Sequence, residues 1–144
     1  MTTEVCLQTL AKIKRSRRIG EVVSGCEELS CATVELAAMR FGLSGKAGIY
    51  REIPAGEAIA LLTNIFHRDM AFDKKIMSAA QAFALAKAFV DCFPHEATCF
   101  YTNSTFGKKQ VPRSWSPATD ATFDAGLLVL SRGITACLWL KDED

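Results

Sequence analysis

Two apolar runs near the end of the chain predict a β-hairpin. The first run covers residues 123–131 and the second covers residues 134–140, and β-branched and aromatic side chains are common in both. Arg132-Gly133 lies between the runs, and glycine tolerates the positive φ that a two-residue hairpin turn needs. Because few polar residues follow Asp124 in the first run, we expect a central strand that is buried on both faces.

Apolar residues at helical spacing predict two helices in the middle of the chain, over residues 54–70 and 78–93. Pro54 fits the first turn of one helix, and Ser78 with Gln81 forms a capping box for the other. We expect the two helices to pack antiparallel as a helical hairpin, because a short polar connection joins them. Their apolar faces are Ala58, Leu61, Leu62, Ile65 and Phe66, and Ala82, Leu85, Ala86, Phe89 and Phe93.

Weaker patterns predict the remaining elements. Thr2 or Thr3 can cap a first helix, and Ser30 can cap a second helix that Gly42 would end. The first helix has Cys6, Leu10 and Ile13 on one face, and the second covers residues 31–41. A break or short strand is expected near residues 21–23, and strands are expected over 49–53 and 97–103.

These elements predict a single α+β domain over residues 1–144. About four helices would pack on an antiparallel sheet of three to four strands that ends in the C-terminal hairpin, because runs of helices followed by strands favour α+β over a parallel βαβ sheet. A chain of 144 residues suits one domain. The apolar fraction of 49% and the charged fraction of 23% are those of an ordinary globular protein.

Charge and cysteine content narrow the class of protein. The net charge of +1 argues against a protein that binds nucleic acid by its overall charge. No apolar run approaches the length of a transmembrane helix, and we find no export signal. We therefore expect a cytoplasmic protein whose six cysteines are reduced and mostly buried, with no membrane contact.

Charged residues gather at the two ends of the chain, and each cluster has two interpretations. The basic run over residues 12–18 is either the favoured cationic end of a helix or a patch for nucleic acid or an acidic partner. The end of the chain, Lys141-Asp142-Glu143-Asp144, should leave the sheet into water. It is either a solvated terminus that prevents edge pairing or an acidic patch that meets a basic partner.

The segment over residues 103–119 is the longest one without a clear period. It combines Lys108, Lys109 and Arg113 with Phe106 and Trp115. Loops of this length are more often functional or mobile than simple connectors, and aromatic and arginine side chains supply most interface anchors. In the alternative, Trp115 folds back on the sheet and the lysines only solubilise the loop.

Catalytic and metal-binding patterns are weak in this chain. A nucleophilic pair of Cys92 or Cys99 with His67 stays open, since such partners meet in space rather than in sequence. Asp120 and Asp124 would share one face if both lay in a strand, but Asp120 fits the preceding turn better. The glycines of residues 42–48 do not form a phosphate loop, because Ala47 follows Lys46. We expect no cofactor and no metal.

The sequences SWSPATDATFDAGLLVL and CLWLKDED, over the last third of the chain, resemble small bacterial immunity proteins of polymorphic toxin systems. The resemblance implies a cytoplasmic protein that binds a toxin or effector domain and blocks its active site without catalysis of its own. A small enzyme with a Cys/His or Asp-lined cleft and a nucleic-acid module are the alternatives. The residues that we expect to contact the protein partner are Lys108, Lys109, Arg113, Trp115, Asp120, Asp124, Asp142, Glu143 and Asp144.

Overall fold

The computed structural model describes residues 3–144. Among the helices of this part of the chain, none combines the length and hydrophobicity needed to cross a bilayer. The helices are α1 (Thr3–Ser16), α2 (Val34–Arg40), α3 (Ala55–His67) and α4 (Ala79–Val90), with a 3-10 turn at His95–Ala97. The strands are β1 (Glu21–Glu27), β2 (Arg51–Ile53), β3 (Thr98–Thr102), β4 (Phe123–Ser131) and β5 (Ile134–Asp142).

All five strands form one antiparallel sheet in the order β1-β5-β4-β3-β2. The predicted α+β class and the C-terminal hairpin are confirmed: β4 and β5 pair from Ser131 with Ile134 to Phe123 with Asp142. Gly133 takes a φ of 73° in the two-residue turn. The sheet gains a fifth strand because the expected short strand at 21–23 extends to Glu27 and pairs with β5.

The sheet has a hydrophobic core on each face. Leu127 and Val129 of β4 join the larger core, which α1, α3 and α4 cover. Leu128 of β4 and Trp139 of β5 join the smaller core on the other face, together with residues of α2. The expectation that β4 is buried on both faces is therefore confirmed. The helices α3 and α4 pack together in the larger core, as their apolar spacing predicted.

Three predicted helix boundaries are wrong by three residues, and one of them is the end of α4, which lies at Val90 rather than 93. The second helix begins at Val34 rather than 31, because Thr33 Oγ1, and not Ser30, accepts the hydrogen bond from Leu36 N at 3.2 Å. Helix α3 ends at His67 rather than 70, since Arg68 is extended and bridges to Lys75. The predicted capping by Ser78 is confirmed by its bond from Gln81 N. The proposed cap at Thr2 lies outside the described residues.

Only part of the acidic end leaves the sheet as expected: Glu143 and Asp144 lie beyond β5 and are exposed, whereas Lys141 and Asp142 belong to the strand. Asp142 is the last residue of β5 and is 1% exposed, because it forms a bidentate ion pair with Arg17 over distances of 2.7 and 2.8 Å. Arg17 also donates to Ile65 O and Ile19 O, and Met70 N donates to Asp142. Arg17 is therefore a buried structural residue, and neither interpretation of the basic run over residues 12–18 accounts for it.

We expect the substitution Asp142→Ala to lower the free energy of unfolding by about 3–5 kcal/mol, because it leaves the Arg17 guanidinium buried without a counterion. Urea denaturation followed by circular dichroism measures the change. Asp144→Asn is the matched control, since Asp144 is exposed and its change should stay within about 0.5 kcal/mol. Equal stability of the two variants would contradict a structural role for the ion pair.

Candidate functional site

The segment between β3 and β4 is a closed loop rather than an irregular connector. Thr105 N donates to Ser114 O at 2.9 Å, and Ser116 N donates to Asn103 O at 2.9 Å. The Asn103 side chain adds a bond from Nδ2 to Ser116 O at 2.8 Å. These bonds join the two ends of the loop, so residues 106–113 form one conformationally constrained segment.

Aromatic packing anchors this loop to the sheet. Trp115 lies between Phe106 and Phe123, with ring centroids 5.8 and 5.1 Å away. The Arg113 guanidinium stacks over the Phe106 ring at 4.6 Å and Nη2 donates to Met70 O at 3.3 Å. Trp115 therefore folds back on the sheet, as one of the two interpretations held. Lys108 and Lys109 remain exposed at the loop tip.

A groove of about 570 Å³ runs between this loop and the surfaces of α3 and α4. That volume falls in the range of ordinary ligand sites. Every charged residue in its lining is a cation. The lining is Gly56, Ile59, Ala60, Thr63, Asn64 and His67 of α3, Phe83 of α4, and Thr105, Gly107, Lys108, Lys109 and Arg113 of the loop.

Gly107 seats the loop directly on the backbone of α3. Its φ is 82°, and a Cβ added there would lie 2.6 Å from Ala60 O and Leu61 N. No side chain fits into this contact, so only glycine permits both the backbone conformation and the close approach. The adjoining Lys108 and Lys109 are thereby held at the rim of the groove.

Three polar side chains of α3 line the groove, and one of them, Thr63, donates its hydroxyl to Ile59 O at 2.7 Å within the helix. His67 Nδ1 lies 2.7 Å from Met77 O. Because a carbonyl only accepts, Nδ1 carries the proton of the neutral ring, and Nε2 is left as an acceptor. Asn64 lies three residues earlier, on the same helical face, and its amide offers both donors and an acceptor.

The two aspartates at the start of β4 have different environments. Asp124 is 0% exposed and accepts hydrogen bonds from Trp139 Nε1, Asn103 Nδ2, Ala118 N and Thr119. Its placement among the partner-contacting residues does not fit this burial. The Asp120 side chain is 98% exposed, in the turn before the strand. The two carboxylates therefore do not form the shared surface pair that a strand would have given.

The acids still exposed among the predicted contact residues, Asp120, Glu143 and Asp144, lie at the end of the sheet where β1 begins and β5 ends. Glu21, Asp120 and Glu143 line a second cavity of about 460 Å³ together with Lys141. Glu143 accepts a hydrogen bond from Thr122 N at 2.6 Å, and Asp144 is exposed. With Asp142 buried, the exposed acidic patch consists of Glu21, Asp120, Glu143 and Asp144.

The cysteines lie apart from the histidine of the groove. Cys92 Sγ contacts Ala88 O and Thr9 Oγ1. Burial raises the pKa of the Cys99 thiol, with a further contribution from the Glu52 carboxylate. His67 lies in a groove whose lining contains no cysteine in the described part of the chain. The contacts of Cys92 do not include His67, the partner that the alternative of a Cys–His enzyme requires.

The predicted contact residues include three that line the groove, Lys108, Lys109 and Arg113 of the loop, and none that lie on its helices. Ile59 and Phe83 were outside the apolar faces assigned to their helices, and Phe83 is 50% exposed. A large apolar side chain on the polar side of a helix, such as Phe83, is the signal in the sequence from which this surface could have been predicted. Asn64 and His67 also lie outside the predicted apolar face of α3, and both line the groove.

A scan against protein-family models and searches of curated proteins and of solved structures find no match to this chain. The chemistry of the groove and of its loop is therefore the basis for a functional assignment.

We expect Gly107→Ala to lower the free energy of unfolding by about 2–3 kcal/mol, since the Cβ forces the loop off α3 in addition to the strain of a positive φ. Gly48→Ala is the matched control, because Gly48 has a φ of 89° and open space around its Cβ position. Its cost should be about 1 kcal/mol. Denaturant titration of both variants measures the difference, and equal losses would show that the contact with α3 contributes nothing.

Proposed function

We propose that this chain is a binding protein that inhibits a protein partner by covering its active site, as an immunity protein neutralises a toxin or effector domain. The proposal places it in the cytoplasm of a bacterium, where its free thiols stay reduced. Its contact surface consists of the groove and the exposed cations Lys108 and Lys109 at the loop tip.

The closed loop is the observation that carries this proposal. Cross-loop hydrogen bonds, the stacked aromatic anchor and the seat of Gly107 on α3 hold the cations in place before any partner arrives. A preorganised surface loses less conformational entropy on association than a flexible one. An apolar floor with a charged rim also has the composition of a protein-binding site.

The exposed charges favour a partner with an acidic segment. The groove carries three cations, Lys108, Lys109 and Arg113. The nearby carboxylate of Glu57 is paired with Arg51 Nη2 at 2.9 Å, so it offsets little of that charge. The acidic patch belongs to the same end of the sheet, where β1 and β4 begin and β3 and β5 end. One partner with complementary charges could therefore contact both, and its association rate would rise.

The test uses the protein encoded by the neighbouring gene, or one captured from the native host and identified, as purified partner. We expect the double substitution Lys108→Glu and Lys109→Glu to weaken binding by about 1–3 kcal/mol in isothermal titration calorimetry, because two favourable charge contacts become repulsive. Relief of the partner's activity by the wild-type chain, and its loss with the variant, is the second measurement.

The matched control is Lys12→Glu with Lys14→Glu, which makes the same charge change on the exposed side of α1. It should leave binding unchanged. It also changes one of the two basic segments of the nucleic-acid alternative, which uses residues 12–18 and 108–113. A partner that binds both double variants as tightly as the wild-type chain would rule out the loop as the contact surface. A partner that keeps its full activity when bound would rule out inhibition.

A further inference from the structure

We infer that the groove along α3 binds an extended acidic peptide segment, with an apolar side chain on its floor and carboxylates at its rim. The inference rests on the proposed function and specifies the part of the partner that the chain would recognise. The groove extends along α3 from Gly56 to His67. The eleven residue steps between them span about 16 Å of helix, which is the length of roughly five extended residues.

The apolar part of the site has room for one or two side chains. Ile59 and Ala60 form part of the floor, and the half-exposed Phe83 stands on the α4 side. Gly56 leaves open space at the N-terminal end, because a Cβ added there would meet no atom within 4 Å. An aliphatic or aromatic side chain of the peptide would remove this apolar surface from water.

The polar groups of the floor distinguish a peptide from an acyl chain. Asn64 and His67 lie one helical turn apart and offer amide donors, an amide oxygen and the acceptor Nε2. An extended backbone has free N–H and C=O groups that pair with such side chains, whereas a hydrocarbon chain would desolvate them without compensation. A helical segment satisfies its own backbone groups and would gain less here.

The rim determines the charge of the peptide. Lys108, Lys109 and Arg113 all line the same wall, and Arg113 is fixed by its stacking on Phe106 and its bond to Met70 O. Ionised Asp or Glu side chains next to the apolar anchor would meet these cations with charge-assisted hydrogen bonds. A basic segment would be repelled by them.

A random heptapeptide library displayed on phage, panned on the full chain, tests this inference. We expect enriched sequences that place Asp or Glu beside an aliphatic or aromatic residue. Fluorescence polarisation with a labelled enriched peptide should show at least tenfold weaker binding to the Lys108→Glu, Lys109→Glu variant. Binding should also fall at least tenfold on Gly56→Phe, which adds a ring at the N-terminal end of the groove, and stay within twofold for Gly56→Ala and for Lys12→Glu with Lys14→Glu.

Asn64→Ala tests the contacts with the peptide backbone. We expect it to weaken peptide binding severalfold, while circular dichroism shows that the chain stays folded.

No enrichment, enrichment of sequences without acids, or affinity that is insensitive to the groove variants would overturn the inference. Displacement of the peptide by equimolar laurate would assign the groove to an acyl chain instead. A purified partner whose complex survives excess peptide would leave the proposed function intact and refute only this site. A chain that binds the peptide but does not inhibit the partner would refute the proposed function and leave the peptide site intact.

Discussion

The buried ion pair of Arg17 with Asp142 holds together segments that are far apart in the chain. Arg17 follows α1 and Asp142 ends β5, and the same two side chains bond to Ile65 O in α3 and to Met70 N beyond it. Removing two charges from water costs several kcal/mol, so the pair is tolerable only because further hydrogen bonds surround it. The Met70 carbonyl then accepts from Arg113, which connects this interior network to the loop at the groove.

A second buried carboxylate organises the other end of the loop. Asp124 binds the backbone after Pro117 and the indole of Trp139, and the Asn103 side chain that bonds to it also closes the loop onto Ser116. Asp124 and Asp142 thus hold the base of the loop and the helices beside it. Charge alone would suggest that both aspartates are exposed. Instead they are buried, and their hydrogen bonds fix the segments that form the surface.

Local sequence patterns were sufficient to predict most helices and strands, but they were insufficient to predict the groove. Apolar spacing predicted α3, α4 and the β4–β5 hairpin, because a helix or strand buries one set of side chains at a fixed period. The burial of Asp142 depends on Arg17, which is 125 positions away, and no local pattern contains that contact. The groove likewise combines α3, α4 and a distant loop, so only the basic residues of its loop were visible in the sequence. The partner contacts of Lys108, Lys109, Arg113 and Trp115 stay predictions.

The pairing of β1 with β5 has a consequence for the order in which the chain folds. The β4–β5 hairpin closes around a two-residue turn, and such hairpins form within about 1–10 microseconds. Glu21 of β1 pairs with Lys141, so β1 can add to the sheet only after a loop of roughly 100 residues or more has closed. Non-local pairing of this kind slows folding, and until β1 arrives the free edge of β5 is open to pairing with other chains.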